Sequence, residues 1–245
     1  MTITSATKVR DVALQLPQST RVFEKLNIDY CCGGDQPFVE ACATAGVEFE
    51  SVVQMIDQLT LMRDEQRAPD LQNATLTELI TYILEKHHTY TKDEMDRLEP
   101  LSEKVVAAHG ANHPELIAVS DLLRQLFADL RPHMLKEERI LFPFILELER
   151  SQTQNGPAPF APFGTVQYPI RMMLMEHDTA GDILRKMRKL SFEYKVPQDA
   201  CVSYKTFYEA LATLERDLHQ HIHLENNLLF PKAIALEGAV EQGPI

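Results

Sequence analysis

The sequence predicts an all-α protein, an antiparallel four-helix bundle preceded by a small helical N-terminal domain. Three observations support this fold class. No stretch alternates apolar and polar residues for long enough to indicate a half-buried strand. Four long segments repeat apolar residues at steps of three and four, which is the pattern of a helix with one buried face. The second pair of these segments also repeats the plan of the first pair.

The N-terminal domain is predicted to span residues 1–65 and to contain three short helices, around residues 20–26, 37–45 and 49–61. Pro37 suits the first position of a helix, because the N–H that proline lacks has no partner there in any case. The polar stretch 63–73 contains few apolar residues and is interpreted as a linker.

The bundle is predicted to span residues 66–245. Two long helical patterns lie between residues 76 and 150, and two more lie between residues 170 and 239. The intervening segment, residues 151–169, is rich in proline, glycine and glutamine, so it is predicted to be a loop.

Composition limits the classes of function. Lysine and arginine total 24 against 36 aspartate and glutamate residues, so the formal net charge is −12. This charge argues against nucleic acid and against an anionic membrane surface as partners. No apolar run approaches about 18 residues and the N-terminus lacks the pattern of a secretory signal, so a cytoplasmic protein is expected. Four cysteines in 245 residues do not form a disulfide framework.

An internal repeat carries the candidate functional residues. Segments 133–143 and 221–231 each begin with a histidine, have a glutamate four positions later and end in Leu-Phe-Pro. His88 lies 45 residues before the first segment, and His177 lies 44 residues before the second. Each half of the bundle therefore offers one histidine on its first helix and a His-x-x-x-Glu pair on its second.

Helix phase predicts that these polar residues face the interior. In the second long helix, Leu130 is followed at steps of three, four and three by His133, Glu137 and Ile140. In the first helix, two adjacent histidines border the apolar stripe, and the one four residues after Leu84 fits the repeat better. The six residues predicted to converge are His88, His133, Glu137, His177, His221 and Glu225.

This set indicates a metal site. Each of the six polar groups would cost about 1–3 kcal/mol if it were buried without a partner. The total approaches the whole stability of a domain, about 5–15 kcal/mol. Metal ligation removes the cost, so a metal site is favoured over six separately satisfied core residues.

Two ions use the set more evenly than one, because six protein ligands around one ion would leave no open position. Each ion would take two histidines and share two bridging glutamates, and an oxo or hydroxo bridge would complete five ligands. Two divalent ions, two glutamates and the bridge also sum to a charge near zero. Mixed imidazole and carboxylate ligation favours iron over zinc, with manganese as an alternative.

Three motifs together resemble a known family. They are D-Y-C-C-G-G at residues 29–34, E-H-D at 176–178, and the two H-x-x-x-E-x-x-x-L-F-P segments. This combination resembles the iron–sulfur cluster repair di-iron proteins of the ScdA/YtfE type, in which a haemerythrin-like domain follows a Cys-Cys domain. The resemblance covers essentially the whole chain.

The resemblance implies a cytoplasmic, non-haem di-iron protein, commonly a homodimer. Such proteins restore iron–sulfur clusters damaged by nitric oxide or peroxide, in the response to nitrosative and oxidative stress. The family's six iron ligands map onto the six residues chosen by helix phase.

The adjacent Cys31 and Cys32 have several interpretations. They can form a vicinal disulfide, bind iron or nitrosyl species, shuttle electrons as thiolates, or simply pack a small domain. The resemblance favours a role in redox chemistry or in nitrosyl or iron transfer. Cys42 and Cys201 are expected to be structural. Glu176 is expected to be a solvated carboxylate, and the alternative is a residue that supports the neighbouring metal ligand or lies on a path for iron.

Three functions follow as hypotheses. The first is repair of damaged iron–sulfur proteins by supply of iron or electrons. The second is reduction of nitric oxide to nitrous oxide at the two ions, which is compatible with the first. The third is a haemerythrin-like protein that binds or senses oxygen or nitric oxide. The even division of histidines argues against an oxygen carrier, which needs one closed and one open ion.

Overall fold

A computed structural model describes residues 3–61 and 71–241 of the chain. The predicted domain boundary at residues 65 and 66 and most of the predicted linker lie outside the described residues. Across the described ranges the ordered elements are helices, and the only β-type pairing there is one isolated bridge between Lys8 and Pro37. The all-α prediction is confirmed.

The N-terminal unit, called the head below, is built from short helices around an aromatic and aliphatic core. The rings of Phe23 and Phe38 meet edge to face with centroids 5.5 Å apart, and Val12 and Ile56 are fully buried beside them. Pro37 precedes its helix as the N-cap residue, with extended backbone, instead of taking the first helical position. The helices are α1 (Val9–Gln15), α2 (Thr20–Leu26), α3 (Phe38–Thr44) and α4 (Phe49–Leu61), with a 3₁₀ turn at Pro17–Ser19.

Four helical rods follow the head. The first rod begins at a capping box, in which the Thr75 hydroxyl accepts a hydrogen bond from the Glu78 backbone N–H and the Glu78 carboxylate accepts one from the Thr75 N–H. Across the described ranges, no helix combines the length and the apolar character needed to cross a bilayer. The rods are α5 (Leu76–Tyr82) with α6 (Thr89–His109), α7 (Glu115–Lys136) with α8 (Phe142–Thr153), α9 (Gln167–Leu190), and α10 (Val202–Leu224) with α11 (Phe230–Glu241).

Three of the rods contain a π-helical segment where their two α-helices meet. These segments are Ile83–His88, Glu137–Leu141 and Glu225–Leu229. Each segment begins or ends at one of the six residues predicted to converge. A π-helical segment widens the helical turn and is frequent at functional sites. Here the three segments lie where the polar side chains enter the core.

The interior of the bundle is a polar layer between two apolar clusters. In the second rod, Leu130 belongs to one cluster and Leu141 to the other, and His133 lies between them. In the fourth rod, Leu218 and Leu229 bracket the equivalent position. The apolar clusters on both sides exclude water from the polar layer and hold the rods that carry it.

The loop between the second and third rods is shorter than the sequence predicts. The predicted loop spans residues 151–169, whereas α8 continues to Thr153 and α9 begins at Gln167. Pro169 therefore lies in the first turn of α9. Proline is tolerated there, because the first N–H groups of a helix have no intrahelical partner.

We expect Gly34→Ala to destabilise the head by about 1–3 kcal/mol, because an added methyl group overpacks a tight turn. A Cβ at this position would lie 2.7 Å from the Tyr30 carbonyl oxygen and 2.9 Å from the Arg10 Cβ. Thermal unfolding measures the effect as a lower Tm. Gly238→Ala is the control, because a Cβ there meets nothing within 4 Å. Equal Tm values for the two variants would contradict the expectation.

Candidate metal centre

The structure brings all six predicted residues into one buried cluster. They divide into two overlapping sets of four, and the donor atoms of each set lie within 4.8 Å of one another. Both glutamates belong to both sets, and each histidine belongs to one. The first set is His88, Glu137, His221 and Glu225, and the second is His133, Glu137, His177 and Glu225.

The histidines of each set present their Nε2 atoms to a common point. The Nε2 atoms of His88 and His221 are 3.2 Å apart, and those of His133 and His177 are 3.1 Å apart. Two nitrogens bound to one ion at about 2.1 Å lie about 3 Å apart when the bonds meet near a right angle. The spacing of each pair therefore suits two ligands on adjacent positions of one ion.

The glutamates connect the two sets. The Glu137 Oε2 atom lies 3.5 Å from the His88 Nε2 atom and 3.4 Å from the His133 Nε2 atom, so one carboxylate reaches both sets. Glu225 does the same with two oxygens, because its Oε1 lies 3.0 Å and its Oε2 3.1 Å from the remaining two histidines. Both carboxylates are fully buried.

The polar atoms left without partners fit a bound cation. Among the described residues, neither oxygen of Glu137 has a hydrogen-bond partner, and neither does the Glu225 Oε2 atom. A buried ionised carboxylate without a hydrogen bond or a cation is strongly destabilising. Carboxylate oxygens and imidazole nitrogens are also the donors that transition metals prefer, so the residues fit metal ligation.

Without a metal, burial and mutual repulsion set the protonation of the cluster. Burial and the neighbouring Glu225 charge raise the pKa of Glu137 to about 7. Burial tends to raise the pKa of Glu225 as well, but the charges of His221 and His177 beside its oxygens outweigh burial and place the Glu225 pKa well below its usual value. Burial lowers the pKa of His177, whereas Glu225 raises it more strongly, to about 9.

Carboxylates orient two of the four histidines from behind. The Nδ1 atom of His88 lies 2.8 Å from Glu138 Oε1, and Lys92 lies 2.6 Å from the same oxygen. The Nδ1 atom of His133 lies 2.8 Å from Glu176 Oε2. Partners of this kind fix the tautomer of a metal-binding histidine. The carboxylate accepts the proton on Nδ1, so Nε2 is unprotonated and can bind an ion.

Glu176 corrects one expectation from sequence. The residue was expected to be a solvated carboxylate, but it accepts hydrogen bonds from both His133 and Lys136. Its neighbour His177 belongs to the cluster itself, and the His177 Nδ1 atom lies 2.7 Å from the Asn226 side-chain oxygen. The sequence feature that relates to this contact is Lys136. It lies one helical turn after His133 and binds the same carboxylate.

We expect Glu176→Ala to lower the affinity for metal about 10- to 100-fold, because His133 loses the carboxylate that orients its ring. Competition with a chelator of known affinity measures the change. Glu147→Ala is the matched control, since Glu147 is exposed on α8. Equal affinities for the two variants would show that Glu176 does not orient His133.

His87 is buried next to His88, although only one of the two was predicted to face inward. Its Nδ1 atom lies 3.1 Å from Asp217 Oδ1, and its ring stacks on His221 with centroids 5.5 Å apart. Adjacent residues of a regular α-helix point about 100° apart. Both rings are buried here in the π-helical segment Ile83–His88, which the periodicity of the sequence does not reveal.

The predicted cysteine pair lies against the second set of candidate metal donors. The two thiols are free, with sulfur atoms 3.9 Å apart, and the backbone N–H groups of Cys31 and Cys32 both donate to Asp29 Oδ1 at 3.0 Å. The Cys32 Sγ atom is 3.8 Å from the His177 carbonyl oxygen. Gly181 lies beside the pair, and a Cβ at this position would be 3.7 Å from the Cys32 sulfur, which is an ordinary van der Waals contact.

The two thiols differ in acidity. The hydrogen bond from Cys31 to Cys32 raises the pKa of Cys31, and burial raises it further. The same hydrogen bond lowers the pKa of Cys32, although burial opposes the change. Cys32 is therefore the thiol that ionises first, and it is also the one that contacts His177.

Two histidines outside the ligand set attach the head to the bundle. His223 donates a hydrogen bond from Nδ1 to the Tyr30 carbonyl oxygen at 3.3 Å. His219 lies 3.0 Å from the Glu24 carboxylate, which also accepts a hydrogen bond from the Tyr30 hydroxyl at 2.8 Å. Arg185 approaches Asp29 at 3.5 Å. These contacts hold the cysteine pair beside the metal centre.

Comparison with known proteins agrees with this organisation. The hemerythrin HHE cation binding domain matches residues 79–233, and the ScdA_N domain, a domain of unknown function, matches residues 5–60. The iron-sulfur cluster repair protein ScdA of Staphylococcus haemolyticus is 32% identical over 94% of this chain and 99% of its own. A probable iron-sulfur cluster repair protein of Haemophilus influenzae is 31% identical over 93% and 96%. The iron-sulfur cluster repair protein YtfE of Dickeya chrysanthemi is 32% identical over 91% and 95%.

Proposed function

The chain belongs to the family of the iron–sulfur cluster repair proteins ScdA and YtfE, and from this membership we propose that it repairs iron–sulfur clusters damaged by nitrosative or oxidative stress. The observation that carries the proposal is the pair of four-donor sets that share Glu137 and Glu225. These residues would hold two metal ions, and all six side chains are buried. The clients are iron–sulfur proteins.

We propose that the bound metal is iron, two ions per chain, with an oxo or hydroxo bridge. The four imidazoles and two carboxylates are a donor set that suits iron, and zinc favours fewer ligands. When bound, the iron pair supplies redox-active and exchangeable metal. Manganese is the alternative that metal analysis and Mössbauer spectroscopy distinguish.

The glutamates, the apolar clusters and the cysteine pair have different roles. Glu137 and Glu225 neutralise charge at both ion positions, and the apolar clusters on each side keep water out. Cys31 and Cys32 lie outside the donor set, where the Cys32 thiol faces the His177 carbonyl oxygen and its lowered pKa makes it the easier of the two to ionise. We propose that this pair passes iron, nitrosyl groups or electrons between the metal centre and the damaged client.

The test is restoration of activity to an iron–sulfur enzyme that nitric oxide has inactivated. Iron-loaded protein should restore activity, whereas Glu137→Leu/Glu225→Leu should not. Cys31→Ser/Cys32→Ser should keep its iron and lose most of the repair rate, which separates transfer from metal binding. Equal rescue by the wild type and the glutamate double variant would refute the proposal.

Reduction of nitric oxide to nitrous oxide is a second candidate, favoured by the adjacency of the two donor sets. It predicts nitrous oxide over several turnovers from reduced protein supplied with nitric oxide and an excess of a chemical reductant, since each nitrous oxide consumes two electrons and two protons. A yield below one turnover would exclude it. Each donor set contains two histidines and both glutamates, an even division that does not favour an oxygen carrier. The homodimer implied by family resemblance stays a prediction, which light scattering in solution tests.

A further inference from the structure

A large cavity lies between the head and the bundle, away from the cysteine pair. Its volume is about 780 Å³, which is within the range of small-molecule sites. Helix α2 of the head forms one side, and α10 and the end of α9 form much of the other. The repair function proposed above does not use this cavity.

Basic side chains from both units line the cavity. The head contributes Arg21 and Lys25, and the bundle contributes Lys86, Arg188 and Arg216. Such a concentration is unusual for a chain whose formal net charge is −12. Charge of one sign gathered in a cleft raises the local concentration of ligands of the opposite sign.

Most of the acidic side chains at the cavity are already paired. Glu24 accepts hydrogen bonds from Tyr30 and His219, and Asp217 binds His87. Glu193 is the acidic lining residue for which the described residues provide no ion pair. Among the described residues, none of these three carboxylates forms an ion pair with a basic group of the lining, and the basic groups outnumber them five to three.

Four of the five basic groups remain available to a ligand. Arg188 is bound to Glu215 at 2.9 Å and lies over the Tyr194 ring, so it forms part of the wall. The other four form no ion pair with any described residue, and Arg216 is bound only to the Thr213 hydroxyl. The available basic groups are Arg21, Lys25, Lys86 and Arg216.

We propose that this cavity binds a small polyanion, a molecule that carries two or more phosphate or carboxylate groups. Arginine and lysine side chains on opposite sides of a cleft bind such groups through charge-assisted hydrogen bonds. Tyr90 and Thr213 add an aromatic face and a hydroxyl to the same wall. The bound molecule contacts the head and the bundle together. Through Asp217 and His87 it lies two side chains from the ligand His221.

Calorimetric titration of the full-length, iron-loaded protein tests the proposal. The probes are fructose 1,6-bisphosphate for phosphate chemistry and tricarballylate for carboxylate chemistry. We expect at least one probe to bind with a Kd below about 1 mM. Its affinity should weaken as NaCl rises from about 50 to about 500 mM. Binding of one probe alone identifies the anionic group preferred. Iron content measured before and after excludes heat from metal removal.

Variants locate the binding. Arg21→Gln/Lys25→Gln in the head and Lys86→Gln/Arg216→Gln in the bundle should each weaken binding at least about tenfold, which corresponds to about 1.4 kcal/mol. The double variant Lys104→Gln/Arg171→Gln removes the same charge from exposed positions elsewhere and should change Kd less than about twofold. Absence of binding by both probes, or equal affinity of the head variant and the control, would overturn the proposal. Circular dichroism and iron content confirm that each variant folds.

Discussion

Replacing Glu137 and Glu225 together with leucine is expected to abolish metal binding and to make the metal-free protein more stable. The two carboxylates are fully buried, and three of their four oxygens have no hydrogen-bond partner among the described residues. A metal ion compensates this arrangement, but without the metal only the surrounding imidazoles offset it. Leucine is close to glutamate in volume and needs no partner, so the apolar pair should fill the same space.

The expected gain in the metal-free state is about 1–4 kcal/mol, the range seen when apolar residues replace buried ionic groups. Thermal and denaturant unfolding at pH 8 measures it against metal-free wild type. Metal analysis should find two ions per chain in the wild type and none in the variant. The control Glu103→Leu/Glu147→Leu changes two exposed glutamates and should leave the metal content unchanged. Two retained ions, or a less stable metal-free variant, would contradict the assignment.

Metal binding at pH 7 is expected to release about one to two protons per chain, because ligands bind in their deprotonated forms. In the metal-free protein, the pKa of His177 is about 9, so its ring is protonated at pH 7. The pKa of Glu137 is about 7, so its carboxyl group is about half protonated. The affinity for metal should therefore rise as the pH increases from about 6 to about 9.

The same shifts set the pH dependence of stability. His177 has a folded-state pKa above its unfolded value, so its contribution is complete below about pH 6.5 and is lost as the pH rises through about 9. The raised pKa of Glu137 also lowers the free energy of unfolding as the pH rises from about 4.5 to 7. Metal-free protein should lose stability between about pH 6.5 and 9, whereas below about pH 6.5 the lowered pKa of the buried His223, about 4, opposes the effect of Glu137. Metal-loaded protein should have a flatter profile.

Calorimetry in buffers of different ionisation enthalpy counts the released protons. His113→Gln is the control, since Asp199 raises the pKa of His113 at a half-buried site outside the six-residue cluster. This variant should release the same number of protons as the wild type. A proton count near zero at pH 7, or an affinity that is constant up to pH 9, would disprove the assigned protonation states.

The main features of the bundle were predictable because local periodicity encodes them. The spacing of Leu130, His133 and Glu137 specifies one face of a helix whatever its neighbours are. The repeat then places an equivalent face in the fourth rod, so the sequence pattern alone indicates the six residues. The head was less predictable: α1, at Val9–Gln15, was not predicted, since a seven-residue helix is stabilised by packing more than by its own sequence.

Contacts between distant segments could not be predicted in this way. Glu176 was expected in solvent, and its contacts with His133 and Lys136 depend on how closely the second and third rods pack. The burial of His87 follows from a π-helical segment, whose widened turn alters which residues share a face. The approach of Cys32 to His177 joins positions 145 residues apart.

The sequence alone determined that this chain forms helices, that its second half copies the plan of its first, and which histidines and glutamates face inward. Periodicity and repeats are local properties, and they survive in a linear sequence. The tertiary structure alone decided which carboxylates orient those histidines, that the cysteines lie beside the ligands, and that basic groups of the head and bundle meet across one cavity. These features depend on the packing of whole rods and of the head on the bundle, where the burial energy of many side chains together sets each distance.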